Sequence, residues 1–279
     1  MEIGIFSRIF ARPTLDEAFA AVVGQGLHVV QFNYLTAGID DMPTVIDDAM
    51  IAQVNAAVAK HDMQLAGVSG TFNMIHPDPA VRAAGLEKLA AVIASAPHIG
   101  AKVVTLCTGT RNPTSMWRHH PDNTSPAAWR DLLASMETAL AVAADHDVIL
   151  AVEPEVSNVM SSPQQARRLL DELQSPHLGI IMDGANVFPA GTLDRQHEIL
   201  DEAFALLGDD IVLAHAKDIS RDGEAGHEAA GTGLLDYEYY VKLLDQSAYT
   251  GPLVAHSLTE AQAPQVVAFL RSVIDAVGA

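Results

Sequence analysis

Residues 148–184 read VILAVEPEVSNVMSSPQQARRLLDELQSPHLGIIMDG. The stretch opens on a short apolar run, Ile149–Glu153, that is nearly continuous rather than alternating. That is the pattern of a parallel strand buried on both faces. Ser162-Pro-Gln-Gln165 then reads as a helix start, a capping box with Pro163 at the first helical position. A second apolar run, Leu178–Met182, closes the unit. Each run leads into a carboxylate, Glu153 and Asp183.

The same alternation continues in both directions. Further strands are predicted at Glu2–Phe6, Val29–Phe32, Leu65–Ser69, Val103–Cys107, Ile211–His215 and Pro252–His256. Helical patterns separate them. The clearest are Pro79–Ser95, Pro126–Ala144 and Ala261–Val277, where apolar residues recur three and four apart. Thr14-Leu-Asp-Glu17 reads as a second capping box. Eight strand-then-helix units fit a doubly wound sheet or a closed barrel, but the barrel needs no crossover to the opposite edge. The unit count and the length of 279 residues favour the barrel, since such folds commonly run to about 250 residues. The expected fold is therefore α/β, a single (β/α)8 TIM barrel. No linker rich in Pro, Gly or Ser interrupts it, so residues 1–279 are taken as one domain. The long irregular stretches Tyr34–Pro43, Gly109–Ser125 and Asp218–Leu235 all follow strands, on the face where such barrels carry their chemistry.

Composition narrows the partners. With 49% hydrophobic residues the chain can build a sizeable core. Its formal net charge of −19 repels phosphate backbones and anionic membranes, so neither nucleic acid nor membrane is expected as a partner. A lone cysteine, Cys107, excludes an intrachain disulfide, and its apolar neighbours mark it as a core thiol. The opening MEIGIFSRIF lacks the pattern of a signal peptide, and no apolar run reaches the ~18 residues of a membrane span. A cytoplasmic location is the expectation.

Four consecutive predicted strands end in groups able to ligate a metal: Glu153 in VILAVEP, Asp183 in LGIIMDG, His215 in IVLAHAKD and His256 in GPLVAHS. Any one of them alone reads as a strand cap. Four at equivalent positions converge on one barrel mouth. Two carboxylates and two imidazoles suit a divalent cation such as Mn²⁺, Co²⁺, Zn²⁺, Fe²⁺ or Mg²⁺, and a cation relieves the repulsion between the carboxylates. Around them, Asn73 and His76 follow strand three and are candidate contacts to substrate hydroxyls, with loop capping as the plain alternative for His76. Trp117, with His119 and His120, is a candidate pocket wall over a sugar ring; exposed loop packing is the alternative. Asn158, close after Glu153 and Glu155, is a candidate substrate contact or support for the ligands. Lys217 is a candidate substrate-binding residue, though Lys217 and Asp218 also read as a local ion pair.

SGTFNMIHPD, GAKVVTLCTGTRNP, VEPEVSN, MDGANVF, HAKD, GTGLLDY and GPLVAHSL, in this order and strand placement, resemble the sugar isomerase and epimerase superfamily with xylose isomerase-like TIM barrels, especially its ketose 3-epimerase-like and sugar phosphate isomerase/epimerase-like members. The resemblance spans nearly the whole chain. It implies metal ligands Glu, Asp, His and Glu on strands five to eight, matched by Glu153, Asp183 and His215. His256 stands where the pattern has Glu. In the epimerases the two glutamates are also the proton-transfer pair, so Glu153 and His256 are the catalytic candidates here. Glu260, four residues on, is a weaker substitute. The resemblance also points to Asn186 and Arg221 as substrate contacts, and a guanidinium suits a carboxylate, phosphate or polyol; a solvated loop charge is the alternative for Arg221.

No GxGxxG, GxxxxGK[ST] or GxSxG motif occurs. The reading is a metal-dependent isomerase or epimerase that moves a proton next to the carbonyl of a small sugar through an enediolate. An inosose-type dehydratase and a degenerate, non-catalytic sugar-binding barrel are the alternatives. An apurinic-site endonuclease is disfavoured, because it needs a basic DNA face. A sugar-like small molecule is the expected partner, and a homo-oligomer stays open.

Overall fold

The computed structural model describes residues 1–278, so Ala279, the last residue of the expected domain, lies outside the described residues. Eight parallel strands close into a barrel in sequence order: β1 (Ile3–Phe6), β2 (Val29–Phe32), β3 (Gln64–Ser69), β4 (Val103–Cys107), β5 (Ile149–Glu153), β6 (Leu178–Asp183), β7 (Ile211–Ala216) and β8 (Leu253–Ala255). β8 pairs back onto β1 through Gly4↔Val254, which leaves no free edge. The helices are α1 (Leu15–Val23), α2 (Asp48–His61), α3 (Pro79–Ser95), α4 (Pro126–Asp145), α5 (Pro163–Leu173), α6 (Gln196–Leu207), α7 (Tyr237–Gln246) and α8 (Ala263–Val277). None of the described helices is long and apolar enough to cross a membrane.

The interior has two layers, because alternate residues of each strand point inward. The lower layer is apolar: Val103, Ala151, Ile181, Leu213 and Val254 pack together, with Phe6 and Ala66 against them. One pleat further along, the inward residues turn polar. Thr105, Glu153, Asp183 and His215 occupy that layer, next to Gln31 and Ser69. The outward faces of the strands pack against the helices in a separate, larger core.

Helix starts follow the expected chemistry. Thr14 and Glu17 form the full capping box, each side chain accepting from the other's backbone N–H at 3.2 Å. At α5 the expected box is incomplete. Ser162 accepts from Gln165 N, but the Gln165 amide oxygen reaches past the cap to Ser161, whose N–H (2.7 Å) and hydroxyl (3.1 Å) supply two donors at once. Strand eight is also shorter than expected. His256 lies one residue beyond β8, yet its N–H still donates to Ala216 O of β7 at 3.1 Å. Ser257 then adopts a positive φ of 56° and turns the chain away. The predicted last helix begins as a single 3₁₀ turn, Glu260–Gln262, before α8 proper.

Tyr240 of α7 ties the ends of β6 and β7. It is fully buried, and its hydroxyl faces Met182 O at 2.9 Å and His215 O at 3.1 Å. Tyr240→Phe removes the one hydroxyl hydrogen that the two carbonyls share, and a buried group left unsatisfied costs about 1–3 kcal/mol. Urea unfolding is expected to show a loss of that size. An unchanged midpoint contradicts the tie.

Candidate metal centre

Glu153 closes β5, Asp183 closes β6, His215 is the fifth residue of β7, and His256 follows β8. Barrel closure makes these sequence-distant residues neighbours. Each offers one ligand atom, and the four atoms lie within 4.8 Å of one another. The internal contacts are close. His256 Nε2 lies 3.0 Å from Asp183 Oδ2, and His215 Nδ1 lies 3.3 Å from Glu153 Oε1. The two imidazole centroids are 4.6 Å apart. Phe6 stacks on His256 at 4.8 Å and meets His215 edge-on at 5.3 Å, walling the rings on the β1 side.

Electrostatics set the protonation states. Burial pushes the His256 pKa down to about 4, aided by the positive charge of Lys217 and by His215, and the hydrogen bond to Asp183 only partly offsets this. At neutral pH the ring is therefore neutral and donates Nε2–H to the Asp183 carboxylate, and a neutral imidazole is the form that binds metals. Burial alone works against the Asp183 carboxylate. The Lys217 ammonium and the His256 hydrogen bond reverse that and hold its pKa well below the usual range. Lys217 is buried too. Asp183, Glu153 and Glu155 outweigh the cost of burial and raise its pKa, so it stays an ammonium, 3.5 Å from Asp183 Oδ2.

The residues fit a divalent cation. Two carboxylates and two imidazoles point at one volume, a donor set suited to such ions. A second observation comes from Asn186. Its Nδ2 donates to Glu153 Oε1 at 2.8 Å, while its Oδ1 is the sole buried side-chain polar atom without a partner among the described residues. An orphaned acceptor beside a cluster of ligand atoms marks a place for an exogenous donor.

The other sequence candidates separate into two groups. Asn186 and Lys217 stand at the cluster. Asn158 is buried near it, but its amide is spent on structure: Oδ1 accepts from Gly109 N, and Nδ2 donates to Glu155. It thereby joins the loops after β4 and β5. Glu155 is itself buried, and that burial raises its pKa to about 7. Asn73 likewise bridges loops, exchanging two hydrogen bonds with the Thr110 backbone at 2.9 and 3.0 Å. His76 accepts from Asp78 N at 3.1 Å and contacts Pro113 O at 3.3 Å. Trp117 is 55% exposed in the loop after β4. Arg221 is solvent-exposed and pairs with Glu224, three residues on. Glu260 is turned to Arg12, which it meets at 2.9 Å across the loops after β1 and β8. Lys217 pairs with Asp183 and not with Asp218, whose carboxylate accepts from Ile219 N, Gly231 N and Leu235 N and so organises the long loop after β7.

Two neighbours of the cluster escaped the sequence reading. Phe6 was assigned only to a strand. Gln31 lies within β2 and not at its end, and its one signal in the sequence is a lone amide in the run VVQF. The Cys107 thiol, expected in the core, lies 3.7 Å from Glu153 Oε2, and burial keeps it protonated.

A profile of the xylose isomerase-like TIM barrel family matches residues 19–273, and the chain belongs to that family. Among known proteins it is 28% identical over 189 residues to the L-ribulose-5-phosphate 3-epimerase UlaE of Shigella flexneri serotype 5b, a match covering 68% of this chain and 61% of that one. It is 27% identical over 219 residues to a ketose 3-epimerase of Arthrobacter globiformis, covering 75% and 68% of the two chains. A crystal structure of a D-tagatose 3-epimerase-like protein superposes with a TM-score of 0.79 at 14% identity, over 100% of this chain and 98% of that one.

Proposed function

We propose that this chain is a metal-dependent sugar isomerase or epimerase that moves a proton at the carbon next to a carbonyl. The observation that carries the reading is the convergence of Glu153, Asp183, His215 and His256 within 4.8 Å. The sugar epimerases among its relatives support the substrate class. Glu153, Asp183, His215 and His256 would hold a divalent cation, which when bound would supply positive charge for a carbonyl oxygen that becomes negative as the proton leaves.

The residues of the chain divide the remaining work. Glu153 is the base. Its Oε1 is oriented by Asn186 and faces His215, while Oε2 meets the weak Cys107 thiol at 3.7 Å and keeps lone pairs free to take a proton. Lys217 fixes a buried positive charge beside Asp183 and favours the same developing oxyanion. The orphaned Asn186 Oδ1 accepts from a substrate hydroxyl. Neutral His256, stacked on Phe6, would serve as a ligand through Nε2 once the hydrogen it shares with Asp183 moves to Nδ1, which lies 3.3 Å from Ser257 Oγ. The partner is a sugar-like small molecule, and residues 1–279 act as one unit.

Elemental analysis of protein purified without chelators tests the reading. A single divalent ion per chain is expected, or uptake of one on adding Mn²⁺, Co²⁺ or Zn²⁺. Negligible occupancy after all three additions contradicts it. His256→Glu is expected to keep both the ion and proton exchange, because a carboxylate replaces a ligand. Retained metal with lost exchange reassigns His256 as a proton carrier. A product that has lost water, formed from an inosose after the same first proton abstraction, makes the enzyme a dehydratase.

A further inference from the structure

A primary amide inside a barrel is costly unless each of its donors and acceptors is matched. Gln31 is 3% exposed, and it is matched fully. Its Nε2 donates to Ser69 Oγ at 3.2 Å and to Thr105 Oγ1 at 3.0 Å, which uses both amide hydrogens. Its Oε1 is thereby left facing His215 Nε2 at 2.8 Å. The placement is built into the strand. The β2–β3 register shifts between Val30 and Gln31, and Gln31 falls opposite Gly67, whose lack of a side chain leaves room.

An amide oxygen only accepts, so the proton in the 2.8 Å contact belongs to His215 Nε2. A neutral ring protonated at Nε2 carries its lone pair on Nδ1. Nδ1 is the atom that faces Glu153 Oε1 at 3.3 Å. For the neutral ring, an imidazole lone pair and a carboxylate oxygen then confront each other without a hydrogen between them, an arrangement that a shared cation turns from repulsive to attractive.

We infer that Gln31 is a positioning residue: held by Ser69 and Thr105, it fixes His215 in the Nε2-protonated form and so presents Nδ1 to the divalent ion. This rests on the metal-dependent reading above. Partners that orient a ligating imidazole this way typically change metal affinity about tenfold to a hundredfold when removed.

Two variants and two readouts test it. Gln31→Met keeps the length of the side chain and removes the acceptor. Gln31→Glu keeps an acceptor toward His215, and the Ser69 and Thr105 hydroxyls can rotate to donate. Nitrogen-15 NMR of the metal-free protein, at a pH where the ring is neutral, reads which His215 nitrogen carries hydrogen. Competition with a chromophoric chelator reads Co²⁺ and Zn²⁺ affinity. The wild type and Gln31→Glu are expected to show Nε2–H, and Gln31→Met a mixture of the two forms. Affinity is expected to fall about tenfold to a hundredfold in Gln31→Met and to be largely rescued in Gln31→Glu. Nδ1–H in the wild type overturns the inference, as does unchanged affinity in Gln31→Met. Equal weakening in both variants does the same, since it marks a merely structural amide. Failure of the wild type to bind either ion while Nε2–H is observed overturns the metal-dependent reading instead, and with it the purpose assigned to Gln31.

Discussion

Asp183→Ala is expected to bind no divalent ion under conditions where the wild type is fully loaded, and to unfold at lower urea. The carboxylate is fully buried at the mouth of the barrel, and its two oxygens serve different partners. Oδ1 accepts from Ala185 N at 3.0 Å, at the turn that follows β6. Oδ2 lies 3.0 Å from His256 Nε2 and 3.5 Å from the Lys217 ammonium. Alanine deletes a proposed ligand and leaves the buried Lys217 ammonium without its counter-charge. Removing one member of a buried ion pair costs about 3–5 kcal/mol, which Lys217 relieves in part by giving up its proton. Asp183→Asn keeps the shape and some of the hydrogen bonds, so it is expected to lose the ion with a smaller loss of stability. Unfolding is measured on metal-free samples, because a bound ion stabilises the folded state by mass action and mixes the two effects. Near-stoichiometric metal in Asp183→Ala contradicts the ligand assignment.

The second large effect belongs to Glu153→Gln. Loss of a general base typically slows proton transfer about a hundredfold to ten-thousandfold, and an amide has no comparable power to take a proton. Glutamine fills the same space and still offers an oxygen toward Asn186 Nδ2, so the barrel is expected to fold. Metal affinity is expected to weaken with the lost charge. The comparison is therefore made at saturating metal, where a fall in solvent exchange reports the base and not the ion. Full exchange in Glu153→Gln under those conditions contradicts the mechanism. None of the other carboxylates considered replaces it: Asp183 is engaged by His256 and Lys217, Glu155 by Ser157 and Asn158, and Glu260 by Arg12.

Much of this centre was legible in the sequence for a physical reason. Parallel barrel strands are buried on both faces, so they read as short apolar runs, and a charged or imidazole side chain at the end of such a run stands out. That placed Glu153, Asp183, His215 and His256 at one mouth, although His256 proves to lie one residue past β8. Loop side chains were less legible, because spacing from a strand end does not fix where a long side chain turns. Arg221 folds back on Glu224, and Asn158 and Asn73 spend their amides on neighbouring loops. Gln31 shows a different limit. Its partners Ser69, Thr105 and His215 are 38, 74 and 184 residues away, so only barrel closure reveals what a polar residue inside an apolar strand is for.

The proposed chemistry exchanges a proton next to a carbonyl with solvent at a metal-loaded centre. Proton NMR in D₂O tests it most directly, with the wild-type protein and a panel of ketoses, ketose phosphates and inososes, before and after chelation. Deuterium is expected at the carbon beside the carbonyl of at least one panel member, with loss of that exchange on removing the ion and its return on adding Mn²⁺, Co²⁺ or Zn²⁺. Conversion of a sugar without solvent deuterium, or exchange that persists undiminished in the metal-free protein, contradicts it.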